Sequence, residues 1–171
     1  DPKTFTFKLR QGVKFHDGTV FDAQVAKWNL DRMLTHKKST AKTFVESIDS
    51  VKVIDASTMQ LNLRTPSANL LQNLSGMISP VSMISKVAVE KLGDDGFDAA
   101  PVGSGPMQFV EWLRDDQWTV KKSDGHWRMA ADGQPLPYLD RIIARIIVDP
   151  AVVLTEMRAG TIDIMMEAEP K

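Results

Sequence analysis

Polar and apolar residues alternate through Thr4-Phe5-Thr6-Phe7-Lys8-Leu9-Arg10. A period of two places Phe5, Phe7 and Leu9 on one face of a half-buried strand. Gln11-Gly12 and His16-Asp17-Gly18-Thr19 predict turns, because glycine reaches positive φ and Asp-Gly favours tight reversals. The period then changes. Val25, Trp28, Asn29, Arg32 and Met33 fall near helical spacing behind Asp22, a good N-cap, so Asp22 to about Thr35 predicts an amphipathic helix. The polar run His36-Lys37-Lys38-Ser39-Thr40 is a loop, and Phe44 to Ser47 adds a helical turn. Val51 to Asp55 and Thr58 to Leu63 alternate again and are joined by Ala56-Ser57, which predicts a hairpin. Asn69 to Leu74 and Lys86 to Leu92 predict two helices separated by Pro80.

Gly93 to Ala100 reads as a loop. Pro101-Val102-Gly103-Ser104-Gly105-Pro106 is a compact turn segment. Met107 to Leu113 and Trp118 to Lys122 predict a second strand pair around Arg114-Asp115-Asp116. Gly125 to Pro137 is irregular. The dense isoleucine run in Leu139 to Val148 predicts a buried strand. Asp149 caps a helix from Pro150 to Ala159, where proline's fixed φ suits the first helical position, and Gly160 ends it. Ile162 to Met166 begins a further strand. Hairpins with helices inserted between them predict an α+β fold, a mainly antiparallel small sheet in a single subdomain over residues 1–171.

Composition narrows the classes. Of 171 residues, 43% are hydrophobic and 25% charged, an ordinary globular mix. No run of about 18 uninterrupted apolar residues occurs, so no transmembrane helix is expected. Asp1-Pro2-Lys3-Thr4 has neither a basic n-region nor an apolar h-region. Net charge is −1, and the imbalance between residues 1–85 (11 basic, 7 acidic) and the remainder (10 basic, 15 acidic) is too mild for a nucleic-acid or anionic-lipid partner. Cysteine is absent, which removes disulfides, thiolate metal sites and cysteine nucleophiles.

No catalytic constellation stands out. His16, His36 and His126 are 20 and 90 residues apart, so they form no local metal-ligating pair and no metal or cofactor site is expected. His16 is read as hydrogen-bonding within its own turn. Gly103-Ser104-Gly105 differs from a nucleophile elbow, since the glycines flank the serine directly and a strand follows. It reads as a backbone crossover. A small serine hydrolase centred on Ser104, with His16 or His126 as base, is retained as a rival, and a protein-interaction domain as another. Asp94, Asp95 and Asp98 lack the donor spacing of a calcium loop and read as a solvated loop. Asn73-Leu74-Ser75 is a formal glycosylation sequon. Trp28 is assigned to the core, Trp112 and Trp118 to cross-strand packing, and Trp127 and Tyr138 are candidates for lining a pocket.

The run Phe7-Lys8-Leu9-Arg10-Gln11-Gly12-Val13-Lys14-Phe15-His16-Asp17-Gly18 closely resembles the signature of the family 5 extracellular solute-binding proteins, the dipeptide/oligopeptide-type receptors of ABC importers. Ala23, Val25, Asn29-Leu30 and Arg32 continue it. Val51, Val53, Asp55 and Thr58 resemble the family's hairpin, and Pro101 to Pro106 its PVGTGP segment. Trp127 with Pro137 to Ile142, then Asp149, Ala159-Gly160 and Asp163-Ile164, resemble its ending in an "AGxxD" turn. Ser104 stands where threonine is usual, and Met107 and His126 where an aromatic is common.

The resemblance implies a binding module and not an enzyme. Relatives have two lobes that close on a ligand and present it to ABC permease subunits, outside the cytoplasmic membrane and in some cases lipid-anchored. It implies that these residues are the extra subdomain of the first lobe, one foldable piece of a longer protein that lines or enlarges the cleft. The ligand-facing loop of peptide-binding relatives corresponds to Lys37 to Thr43, which makes Lys38, Ser39 and Thr40 the candidate ligand-binding residues. No cofactor is implied. The ligand stays open among dipeptides, longer peptides, nickel complexes, glutathione, opines and oligosaccharides.

Overall fold

The computed structural model describes residues 1–76 and 80–165. Strands β1 (Thr4–Lys8), β2 (Ile48–Asp55) and β3 (Thr58–Leu63) form an antiparallel sheet in the order β1-β3-β2. The predicted hairpin is present, and β1 joins it on the free side of β3, with Phe5 opposite Leu61 and Phe7 opposite Met59. Because side chains alternate faces along a strand, Met59, Leu61 and Leu63 all point into the core.

Helix α1 (Ala23–Thr35) covers that face. Ala23, Ala26, Leu30 and Met33 are buried at three- and four-residue spacing, and the Asp22 carboxylate caps the first turn by accepting from the Val25 amide at 2.9 Å. Two short helices, α2 (Lys42–Val45) and α3 (Leu70–Leu74), close the cluster with Val45 and Leu70. Leu30, Ile48, Leu61 and Leu70 are fully buried. Each such side chain contributes about 1.5–3 kcal/mol.

Helix α4 (Lys86–Ala99) runs through the stretch expected to be a loop after Leu92. The chain breaks helical geometry only at Gly93 (φ 70°, ψ 173°) and then resumes. Phe97 explains the resumption: it is buried against Ala88 and Val89, with Trp28, Ile84 and Val102 packed around them. Trp28 is therefore half-buried at the edge of this second cluster, and not within the main core.

A second antiparallel sheet, ordered β4-β5-β6, is built from β4 (Met107–Leu113), β5 (Gln117–Lys122) and β6 (Arg141–Arg145). Trp112 and Trp118 are cross-strand partners beside the turn at Asp115, which sits at φ 60°. The expected buried strand over 139–148 is corrected on two counts. It is shorter, and most of its apolar residues are exposed: Ile143 is 52% and Val148 90% exposed. Helix α5 (Pro150–Ala159) has the expected Asp149 cap, proline at its start and left-handed Gly160, and none of its residues is buried. Residues 162–165 are not a strand; Met166, the end of that expected strand, lies outside the described residues.

Three polar contacts hold distant segments together. Asn29, 1% exposed, donates to the carbonyls of Val25 and Ile84 and accepts from the Ile84 amide at 2.9 Å, so both its donors and its carbonyl oxygen are engaged. Ser85, fully buried, caps α4 by accepting from Ala88 and donates to Asp17 at 2.5 Å. His16 does not bond within its own turn. Its amide donates to the Gly103 carbonyl at 2.8 Å and its Nε2–H to the Gly105 carbonyl at 2.9 Å.

Candidate functional site

One groove, of about 710 Å³, opens at the C-terminal end of α1. Trp28, Arg32 and His36 follow one another at four-residue intervals, so the helix stacks them on one face. The guanidinium of Arg32 lies 5.8 Å from the centre of the Trp28 ring. Across the groove, the first residue after the Gly93 break is Asp94, which receives Arg32 Nη2 at 2.6 Å and His36 Nε2 at 2.9 Å. These hydrogen bonds, His36 first and Arg32 second, hold the Asp94 carboxyl below the usual carboxylate range. Asp31 on the rim is engaged by Lys27 at 2.8 Å. The basic residues also suit the negative end of the α1 dipole.

Of the predicted ligand residues, Lys38 lines this groove, with its ammonium 3.4 Å from Asp95. Ser39 and Thr40 follow in the same loop but do not line it, and the Ser39 amide donates to the His36 carbonyl. Asp94 and Asp95 are therefore helical and not a loop, although Asp95 is as solvated as expected. They start the second half of a helix, where Asp94 binds Arg32 and His36 at the end of α1 and Asp95 meets Lys38 in the loop beyond it.

A second groove, of about 580 Å³, lies where the 104–106 turn meets the irregular segment. Trp127 and Tyr138 both line it, with His126, Arg128 and the cis Leu136–Pro137 bond. Arg10 stacks on Trp127 at 4.2 Å. Tyr138 donates to Asp132 at 2.9 Å, which raises the phenol's pKa and contributes to lowering that of Asp132, where the Gln134 amide is the larger cause. Desolvation first, then Arg128 and His16, lowers the pKa of His126.

A serine hydrolase needs a base hydrogen-bonded to its nucleophile. His16 spends Nε2–H on Gly105, and its buried Nδ1 has no partner. Among the described residues the Ser104 hydroxyl is bonded to neither His16 nor His126. A Cβ at Gly103 would reach only ordinary contact with His16, so close approach is not what requires glycine there. Among the described residues, no group of three acidic or histidine side chains is placed to hold a metal ion, and no helix is long and apolar enough to cross a membrane. The sequon's Asn73 amide donates to the Phe44 carbonyl at 3.0 Å.

The family model described as bacterial extracellular solute-binding proteins, family 5 Middle, matches residues 1–171. The chain belongs to this family. The family 5 chain is 37% identical over 151 residues to the glutathione-binding protein GsiB of Pectobacterium atrosepticum, covering 87% of this chain and 28% of that protein. It is 38% identical over 151 residues to GsiB of Salmonella typhimurium, with the same coverage of 87% and 28%. Among solved structures, NikZ of Campylobacter jejuni in complex with Ni(L-His) superposes with a TM-score of 0.83 at 26% identity, covering 95% of this chain and 31% of NikZ. The binding protein AgaA of A. tumefaciens R10, in complex with agropinic acid, gives a TM-score of 0.80 at 31% identity, again covering 95% and 31%. The family 5 chain thus spans less than a third of the length of these relatives.

Sequence reasoning reached the loop after α1 through the family resemblance, and it missed Arg32, His36 and Asp94 as a group. The four-residue spacing of Arg32 and His36 was visible. Their partner Asp94 lies 62 and 58 residues away, where no local pattern reports it.

Proposed function

We propose that this chain is the part of an ABC importer's solute-binding component that lines one side of the cleft, outside the cytoplasmic membrane. The protein captures peptides or similar small solutes by lobe closure and hands them to permease subunits, without breaking a bond. Family membership supports the class. The observation that carries the site is the groove at the end of α1, which Arg32, His36, Lys37 and Lys38 line together with Trp28, Arg32 lying over the ring. An aromatic wall beside cations suits a solute with a carboxylate and an apolar stem. Glutathione, histidine and agropinic acid, named with the relatives, all carry carboxylates. The exposed apolar residues of β6 and α5 support a site completed by further chain, since a face of that kind is normally covered. Closure would then stabilise contacts made only in the closed state.

The loop is tested by a combined K38A/S39A/T40A variant of the gene product that carries these residues. Its affinity for glutathione, read by tryptophan fluorescence, is expected to fall about 10-fold, the loss of roughly 1.4 kcal/mol. An unchanged affinity in a folded variant removes the loop from the solute's wall.

A further inference from the structure

Arg32 and His36 are the most enclosed basic side chains of the first groove, and both are already spoken for. Arg32 Nη2 and His36 Nε2 converge on the two oxygens of one carboxylate, Asp94. That carboxylate is presented from the opposite wall by α4, and its side chain is 42% exposed, so a solute entering the groove reaches it directly. The other acid on the groove, Asp31, is held by Lys27 and does not compete for them.

We propose that Asp94 is a resident stand-in for a carboxylate of the solute, holding Arg32 and His36 in position while the groove is empty and yielding them to an anionic group that enters.

This inference rests on the reading of the groove as the solute's wall. The exchange replaces one carboxylate by another on the same two donors, so neither donor is left unpaired at the end. Asp94 needs only a side-chain rotation. Phe97, buried three residues on, keeps this half of α4 docked. Asp94 itself passes to solvent, where a carboxylate is well hydrated. Two consequences follow. The empty groove keeps its two donors oriented, which lowers the ordering cost of binding. Solutes without an anionic group gain nothing from displacing Asp94, so the residue sets specificity for carboxylate-bearing solutes. The resident contact also lowers apparent affinity, because only the fraction with Asp94 withdrawn is competent.

The test uses the gene product that carries these residues, with glutathione as probe, and four variants whose folding is checked by thermal melts. D94N and D94A are expected to bind glutathione roughly 5-fold or more tightly than wild type. D95N, which frees only Lys38 at the rim, is expected to change affinity less. R32Q is expected to weaken binding. If R32Q weakens binding while both Asp94 variants bind no better than wild type, Asp94 is a plain support for Arg32 and the inference is overturned with the groove reading intact. If D95N tightens binding as much as the Asp94 variants, net charge explains the gain and the inference falls. If R32Q leaves binding unchanged, or wild type shows no saturable binding, the groove is not the solute's wall and both readings fall.

Discussion

At the scale of single residues, the histidine–aspartate–glycine turn that carries the family resemblance acts as a rivet. His16 takes the carbonyls of Gly103 and Gly105, and Asp17 takes the hydroxyl of Ser85. Burial pushes the Asp17 carboxyl up, but donation from Ser85 and from the side chain and amide of Thr19 outweighs it, so the group titrates below its usual range. Ser85 has two tasks, as cap of α4 and as donor to Asp17. Replacing it by alanine leaves the Ala88 amide uncapped, and S85A is expected to lose about 1–2 kcal/mol, read as a lower denaturant midpoint at unchanged m-value. An S85A midpoint equal to wild type would show that water replaces the hydroxyl at no cost. The roles of these residues were hidden in the sequence because every partner is distant along the chain. A hydrogen bond from His16 to Gly105 has no periodicity to betray it.

At the scale of elements, the legible ones were those with local logic. Alternation identified β1 and the β2–β3 hairpin, and helical spacing behind Asp22 identified α1. Asp149, Pro150 and Gly160 marked both ends of α5. The second half of α4 was illegible for a physical reason. Leu92-Gly93 reads as a helix stop, and the polar residues after it have low helix propensity. Docking of Phe97 on Ala88 and Val89 overrides both. Strand β6 failed in the opposite way: an isoleucine run reports affinity for burial, not what supplies it. Gly93 is the joint that aims Asp94 at Arg32, and its φ of 70° with ψ of 173° is a conformation nearly confined to glycine. G93A is expected to cost about 1–3 kcal/mol in thermal or denaturant melts. A loss well below that range would mean that the joint relaxes, and that Asp94 is not held by backbone geometry.

At the scale of the whole molecule, the fold class was readable because turns and periods add up along the chain, whereas the division into two separate sheets was not. Family identity was readable from several short motifs in order, each weak alone. The candidate site was half readable: the loop holding Lys38 followed from resemblance, but the groove exists only because α4 returns Asp94 to the end of α1. The described residues hold a main core around the first sheet and a smaller cluster around Phe97, and leave most apolar residues of β6 and α5 exposed. That asymmetry fits a wall of a cleft better than a self-sufficient pocket. Calorimetric titration of the gene product that carries these residues, with glutathione, a dipeptide and a longer peptide, tests this most directly. Saturable binding of at least one of them in the micromolar range or tighter is expected, with negative ΔCp from closure over the solute and no change in the solute recovered afterwards. Absence of binding by all three in a cooperatively folded protein, or recovery of a cleaved peptide, would contradict it.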